Sequence, residues 1–142
     1  MLRRVVLDTS VIVAALRSRH GAANRVLRLV AGRRLILLAT PPLFLEYEEV
    51  LGRPEQRWVH GLTPEALEVF LAELAAMVEP VETHFLWRPQ VHDPGDEMVL
   101  EASINGRADA LITYNIKHFL AAGDRFGIPI LRPADVLAKV QR

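Results

Sequence analysis

Short apolar runs recur along the chain at Val5–Leu7, Leu35–Ala39, Ala110–Thr113 and Gly127–Leu131, and each leads into a stretch with helical spacing. The first three are continuous rather than alternating, which predicts parallel strands covered on both faces. Pro129 inside the fourth predicts an edge strand. Val5–Leu7 runs up to Asp8-Thr9-Ser10. A buried helix is then predicted over Ser10–Arg17, broken at His20-Gly21. Ala22–Ala31 reads as a second helix, with Val26, Leu27 and Val30 inward, Arg25 and Arg28 toward its edge, and Gly32 as its C-cap.

After Leu35–Ala39, Thr40-Pro41-Pro42 has the form of a helix start, a capping hydroxyl followed by proline. Leu43, Tyr47, Val50 and Leu51 share one stripe of that helix, and Glu46 falls on the same stripe. Gly52-Arg53-Pro54 ends it. A polar connection through Arg57, Trp58 and His60 follows, in which Trp58 could stack on a base but reads more readily as a packing anchor. Thr63-Pro64-Glu65 starts a long helix with a wide apolar stripe from Ala66 to Val78, stopped by Pro80; Val81–Leu86 has weak strand character. Asp93-Pro94 predicts the cap and first turn of another helix, with Asp96, Val99, Leu100 and Ser103 on the inward face and Glu97 and Glu101 outward. Gly106 ends it. Tyr114-Asn115 leads into a short helix at Ile116–Leu120, and Pro133–Val140 forms a last one. Strand and helix alternate from end to end without a linker or repeat. This predicts one α/β domain over residues 1–142, a sandwich on a mostly parallel sheet.

Composition narrows the picture. The chain has 142 residues, enough for one domain with a real core, and 51% hydrophobic residues argue against disorder. No run approaches the ~20 apolar residues of a membrane span, and the apolar part of the amino terminus is too short for a signal peptide, so a cytoplasmic protein is expected. Cysteine is absent, which excludes thiolate ligands and a thiol nucleophile. Net charge is zero, but ten arginines face five acids up to Arg57, while seven basic residues face twelve acids after it. Any pull on nucleic acid must therefore come from a local patch, with Arg17, Arg19, His20, Arg25, Arg28, Arg33 and Arg34 as candidates.

The chemistry lies in the acids. Asp8 stands just past a strand end, where open α/β sheets bind ligands; alone, it would read as a helix cap. Glu46 is an acid on an inward stripe, costly unless compensated. Asp96 sits in a first turn, where the helix dipole favours a negative charge. Asn115 follows a strand end as Asp8 does. Right-handed crossovers bring strand ends and helix starts to one edge, so Asp8, Glu46, Asp96 and Asn115 are expected to converge. Three acids there would repel one another without a cation, and oxygen ligands select Mg²⁺ or Mn²⁺. Such a site activates water and steadies a phosphoryl transition state.

The motifs V-L-D-T-S, P-x-L-F-L-E-Y, D-P-G-D-E-M-V-L-E-A and L-I-T-Y-N-I-K-H-F resemble, in order and spacing, those of the PIN-domain nucleases, and most nearly the VapC-like toxins of toxin–antitoxin pairs. The resemblance implies a Rossmann-like, three-layer α/β/α fold and a Mg²⁺- or Mn²⁺-dependent endoribonuclease. It maps the family's acids onto Asp8, Glu46 and Asp96, with Asp8 and Asp96 as metal ligands. A frequent fourth acid falls on Asn115, which removes one charge. Thr9 or Ser10, Thr113 and Asp93 would support these residues. Arg17, Arg25 and Arg28 would position an RNA backbone. The implied partners are an RNA substrate, a cognate antitoxin and a second copy of the chain. Two other readings stand beside this one. The chain could be a PIN-fold binding module, weakened at Asn115, that takes RNA or antitoxin without cleaving. Alternatively, Asp8 could accept a phosphoryl group, with Lys117 as its only candidate cation.

Overall fold

The computed structural model describes residues 2–84, 91 and 93–140. Five strands form one sheet: β1 (Arg4–Leu7), β2 (Ile36–Ala39), β3 (Val78–Pro80), β4 (Ala110–Ile112) and β5 (Ile130–Leu131). Every pairing is parallel and the order is β3-β2-β1-β4-β5. Among the described residues the helices are α1 (Thr9–Arg17), α2 (Ala22–Ala31), α3 (Pro41–Leu51), α4 (Pro54–His60), α5 (Pro64–Met77), α6 (Pro94–Asn105), α7 (Ile116–Phe126) and α8 (Pro133–Val140). This is a three-layer α/β/α sandwich. None of the helices is long and apolar enough to cross a membrane.

The unbroken apolar runs behave as their pattern requires. Val5, Val6 and Leu7 are all 0% exposed, and so are Leu111 and Ile112 beside them. Successive strand residues point to opposite faces, so burial of all of them means that helices cover both faces. β1 sits at the centre, with β2 on one side and β4 on the other. The chain leaves β1 toward one half of the sheet and returns to the other half at β4. That reversal opens a crevice beyond the carboxyl end of β1, where ligands bind in open α/β sheets.

The helix starts are locally encoded. Thr40 Oγ1 accepts from Leu43 N at 3.3 Å, Thr63 Oγ1 from Ala66 N at 3.1 Å and Asp93 Oδ1 from Gly95 N at 2.7 Å, each with proline inside the first turn. The buried Tyr47 of α3 donates its hydroxyl to the Leu7 carbonyl at the tip of β1, and burial pushes that phenol well above its usual pKa.

Several expectations are corrected. The polar connection after Gly52 is the helix α4, and Trp58 on it is 89% exposed, so it anchors no packing within the chain. Val78 belongs not to α5 but to β3, together with the Pro80 expected to stop the helix, and among the described residues β3 pairs only with β2. Proline fits there because an edge strand has no partner for the missing N–H. Val81 is buried beyond β3 and donates its N–H to Ala39 O at 3.0 Å; residues 85 and 86 of the expected strand lie outside the described residues. The α5 stripe is narrow: Leu67 and Leu74 are buried while Ala66 and Ala75 are exposed. α7 continues to Phe126, and β5 contains only Ile130 and Leu131, at an edge as Pro129 suggested. Glu97 and Glu101 are buried, because α6 packs against α3, α7 and the sheet at once. Glu97 Oε1 accepts from Val91 N at 2.9 Å.

α7 reaches the sheet through Gly123. A Cβ there would stand 2.7 Å from Ile130 Cγ1 and 2.9 Å from Ile128 O. Gly123→Ala should therefore lower stability by about 1–3 kcal/mol, the usual cost of overpacking. Urea unfolding checks this; an unchanged midpoint would mean that β5 yields freely.

Candidate active site

The crevice beyond β1 is a cleft of about 470 Å³ lined by Asp8, Glu46, Asp93, Asp96 and Asn115, with Thr9, Ser10, Arg17, Gln56, Gly95 and Tyr114 among its other walls. Larger cavities exist elsewhere, but this one holds the acids. The sheet brings three of the residues here. Asp8 follows β1, Asn115 follows β4, and Asp96 lies in the first turn of α6. Glu46 comes from α3, next to the Tyr47 that is fastened to Leu7.

Asp8 occupies the N-cap position of α1 but makes no capping bond with its side chain. Its Oδ2 instead accepts from Ser10 Oγ at 2.8 Å and Thr113 Oγ1 at 2.7 Å. Both hydroxyls are oriented by what they accept. Thr113 Oγ1 takes the Asn115 N–H at 2.8 Å, and Ser10 Oγ takes the Tyr114 N–H at 3.3 Å. With their acceptor sides engaged, the hydroxyl protons turn toward Asp8. The carboxylate is 5% exposed and fixed in direction, and among the described residues no hydrogen bond reaches Oδ1. Thr9 lines the cleft but does not join this network.

Asp96 is 9% exposed, and its Oδ2 pairs with His118 Nδ1 at 2.9 Å. Burial raises its pKa, the His118 hydrogen bond opposes that, and the charge of Asp8 adds to the rise. Glu46 is half-buried. Its carboxyl also titrates above the ordinary range, first through burial and then through Glu49, with Asp93 and Asp8 contributing and Arg53 opposing. Arg53 does not neutralise Glu46 directly, since its guanidinium is held by Glu49 through bonds of 3.1 and 2.7 Å. Gly95 lets the start of α6 and α3 approach: a Cβ there would lie 3.1 Å from Asp93 Oδ1 and 3.5 Å from Glu46 Oε1. Asp93 caps α6 and faces the cleft, so both its expected roles fall in one place.

Arg17 lines the cleft, its Nη2 donating to Gln56 Oε1 at 3.3 Å. Arg25 and Arg28 are exposed on α2 and outside the cleft; Arg28 donates to the Arg19 carbonyl at 3.1 Å. Lys117 does not line it either, which leaves a phosphate-accepting Asp8 without its cation. His118 and Gln56 carried no assigned role in the sequence. The signal for His118 was its place one turn after Asn115, on a helix that starts at the cleft.

Among the described residues, no three His, Asp or Glu side chains form a ready cage for a metal ion. The donors present are hard oxygens, with Asp8 and Asp96 both buried and Asp96 under the charge of Asp8. That donor set fits Mg²⁺ or Mn²⁺ held in an open site by one or two carboxylates and water, rather than a closed cage.

A family model described as PIN domain matches residues 4–117, from the start of β1 into α7. No curated protein matches the chain.

The raised acids set a pH dependence. A carboxyl whose folded pKa exceeds its unfolded value contributes fully below the unfolded pKa and is lost as pH rises through the folded one. In metal-free buffer, Glu46→Gln should therefore stabilise the protein near pH 7 by less than about 1 kcal/mol, since the group is half-exposed and screened. The gain should vanish below the ordinary carboxylate range. Thermal melts at pH 7 and pH 3.5 check the sign; destabilisation at pH 7 would contradict a charge made costly by burial and neighbouring acids.

Proposed function

Because the chain belongs to the PIN domain family, whose members are generally nucleases, we propose that it is a Mg²⁺- or Mn²⁺-dependent endoribonuclease acting on single-stranded or looped RNA. One observation carries this reading: buried Asp8 and Asp96 share a cleft with Glu46, and the charge of Asp8 adds to the burial that raises the pKa of both Glu46 and Asp96. Asp8 and Asp96 would hold the ion, with the Asn115 amide oxygen at the same wall. When bound, the ion supplies acidified water and positive charge against the charge that builds on the phosphate. In the reaction, water oxygen bonds to phosphorus and the bond from phosphorus to a ribose oxygen breaks.

The chain's own residues divide the remaining work. Ser10 and Thr113 aim the Asp8 carboxylate and keep it from turning away. His118 occupies Asp96 Oδ2 and leaves the other oxygen for the cleft. Glu46 accepts a hydrogen bond from the attacking water and orients it. Arg17, tethered to Gln56, meets a backbone phosphate at the rim, while Arg25 and Arg28 extend the cationic track over α2. The resemblance to the VapC-like branch carries the proposal further, to the toxin of a toxin–antitoxin pair. Such a protein is a cytoplasmic homodimer whose cleft is silenced by a cognate antitoxin.

Cleavage of an RNA panel with Mn²⁺ should cease with EDTA, and Asp8→Asn should lower kcat/KM by at least about 100-fold, as for loss of a charged group at a reacting centre. Cleavage indifferent to both would overturn the assignment. RNA binding that persists with no cleavage under any metal would instead favour the weakened binding module, as the charge missing at Asn115 suggests. His118→Ala should cost about 10–100-fold in metal affinity or activity, typical of a group that orients a ligand. Asn115→Asp should tighten Mn²⁺ binding, measured by titration calorimetry; unchanged affinity would remove Asn115 from the metal's surroundings.

A further inference from the structure

The amino-terminal edge of the sheet carries a second and larger cavity, of about 640 Å³. It lies opposite the acid cleft, since Arg3 and Asp109 lead into β1 and β4 there. Its charge is the reverse. Arg3, Arg33, Arg34 and Lys139 line it, against the single acid Asp109 among the described residues. That acid is already engaged: its Oδ2 accepts the backbone N–H groups of Arg3 at 3.1 Å and Arg4 at 2.8 Å. Arg34 donates to the Val140 carbonyl at 3.0 Å, which fixes its direction, and it forms no ion pair among the described residues. Arg3, Arg33 and Lys139 form no ion pair among the described residues. Cations on the wall of such a cavity stand within about one Debye length of each other, so they repel unless an anion enters.

The backbone contributes to this convergence. Neighbours in an extended segment point to opposite sides. Arg33 instead has φ +61°, in the left-handed turn that closes α2, and both Arg33 and Arg34 reach the same cavity. A non-glycine residue costs roughly 1 kcal/mol in that conformation. The rest of the lining is apolar, through Leu2, Leu131 and Val140. The volume falls within the range of small-ligand pockets.

We infer that this cavity binds a phosphomonoester carried on a small apolar body, of mononucleotide size. Arginine forks and a lysine match a doubly charged phosphate better than a single carboxylate. The aliphatic walls accept the body that the phosphate is attached to. Two sources share that chemistry, a free mononucleotide and the phosphorylated end of an RNA strand.

Titration calorimetry on the full chain in EDTA tests the site with adenosine monophosphate, adenosine, inorganic phosphate and a four-nucleotide RNA with and without a 5′-phosphate. Adenosine monophosphate should bind at least about 10-fold more tightly than adenosine or phosphate alone, and several-fold more weakly at raised salt. Arg33→Gly removes the guanidinium while glycine adopts the same φ freely, so this variant should keep or raise the urea midpoint and lose about 10-fold in affinity. Lys139→Gln should lose a similar factor. Tighter binding of the 5′-phosphorylated RNA than of the mononucleotide assigns the site to strand ends; the opposite order assigns it to free nucleotide. Equal binding of the monophosphate and adenosine, no binding at millimolar concentration, or full affinity in both variants would overturn the inference. So would loss of monophosphate binding in Asp8→Asn, which would move the ligand to the acid cleft. Cleavage failing while this binding holds, or the reverse, separates the two proposals.

Discussion

Repulsion between carboxylates held at one edge of the sheet is the constraint from which the site follows. Asp8, Glu46, Asp93 and Asp96 would separate if their backbones were free to move. They are held by elements whose positions are fixed for other reasons: a strand buried on both faces and two proline-started helices, one of them packed on three sides. The core imposes the geometry and the acids bear its cost: burial first, and neighbouring acids after it, raise the pKa values of Glu46 and Asp96. Functional sites commonly concentrate such perturbations. The molecule compensates only in part. Asp8 has two hydroxyls, Asp96 has a histidine, and Glu46 has only a guanidinium already committed to Glu49.

The topology also divides the surface by charge. Strand carboxyl ends gather acids and strand amino ends gather arginines, although the chain as a whole is neutral. The charge imbalance between the two halves of the sequence does not translate directly into this division. Asp8 and Glu46 come from the arginine-rich half, while Lys139 comes from the acidic one. Only folding places them, because a parallel sheet sends every strand end to the same side.

Much of the architecture was legible because local and global signals agree. Unbroken apolar runs gave the central strands, and hydroxyl-proline pairs gave the starts of α3 and α5. The convergence of Asp8, Asp96 and Asn115 was expected from right-handed crossovers, and that of Glu46 from its place on the inward stripe of α3. What was missed lacked a local signature. The three-residue β3 is too short for periodicity, and Pro80 reads as a helix stop until the strand is known to be an edge. Glu97 and Glu101 sit on a face that looks polar and is buried by tertiary packing. His118 is an ordinary helix residue until α6 brings Asp96 against it.

The Tyr47 hydroxyl ties α3 to the last carbonyl of β1, one residue before Asp8 and one after Glu46. A single buried anchor thus indexes two acids from separate elements. Sliding α3 by one turn would break the anchor and carry Glu46 away together. The position of Glu46 over the cleft is thus coupled to a bond made entirely inside the core, out of reach of solvent.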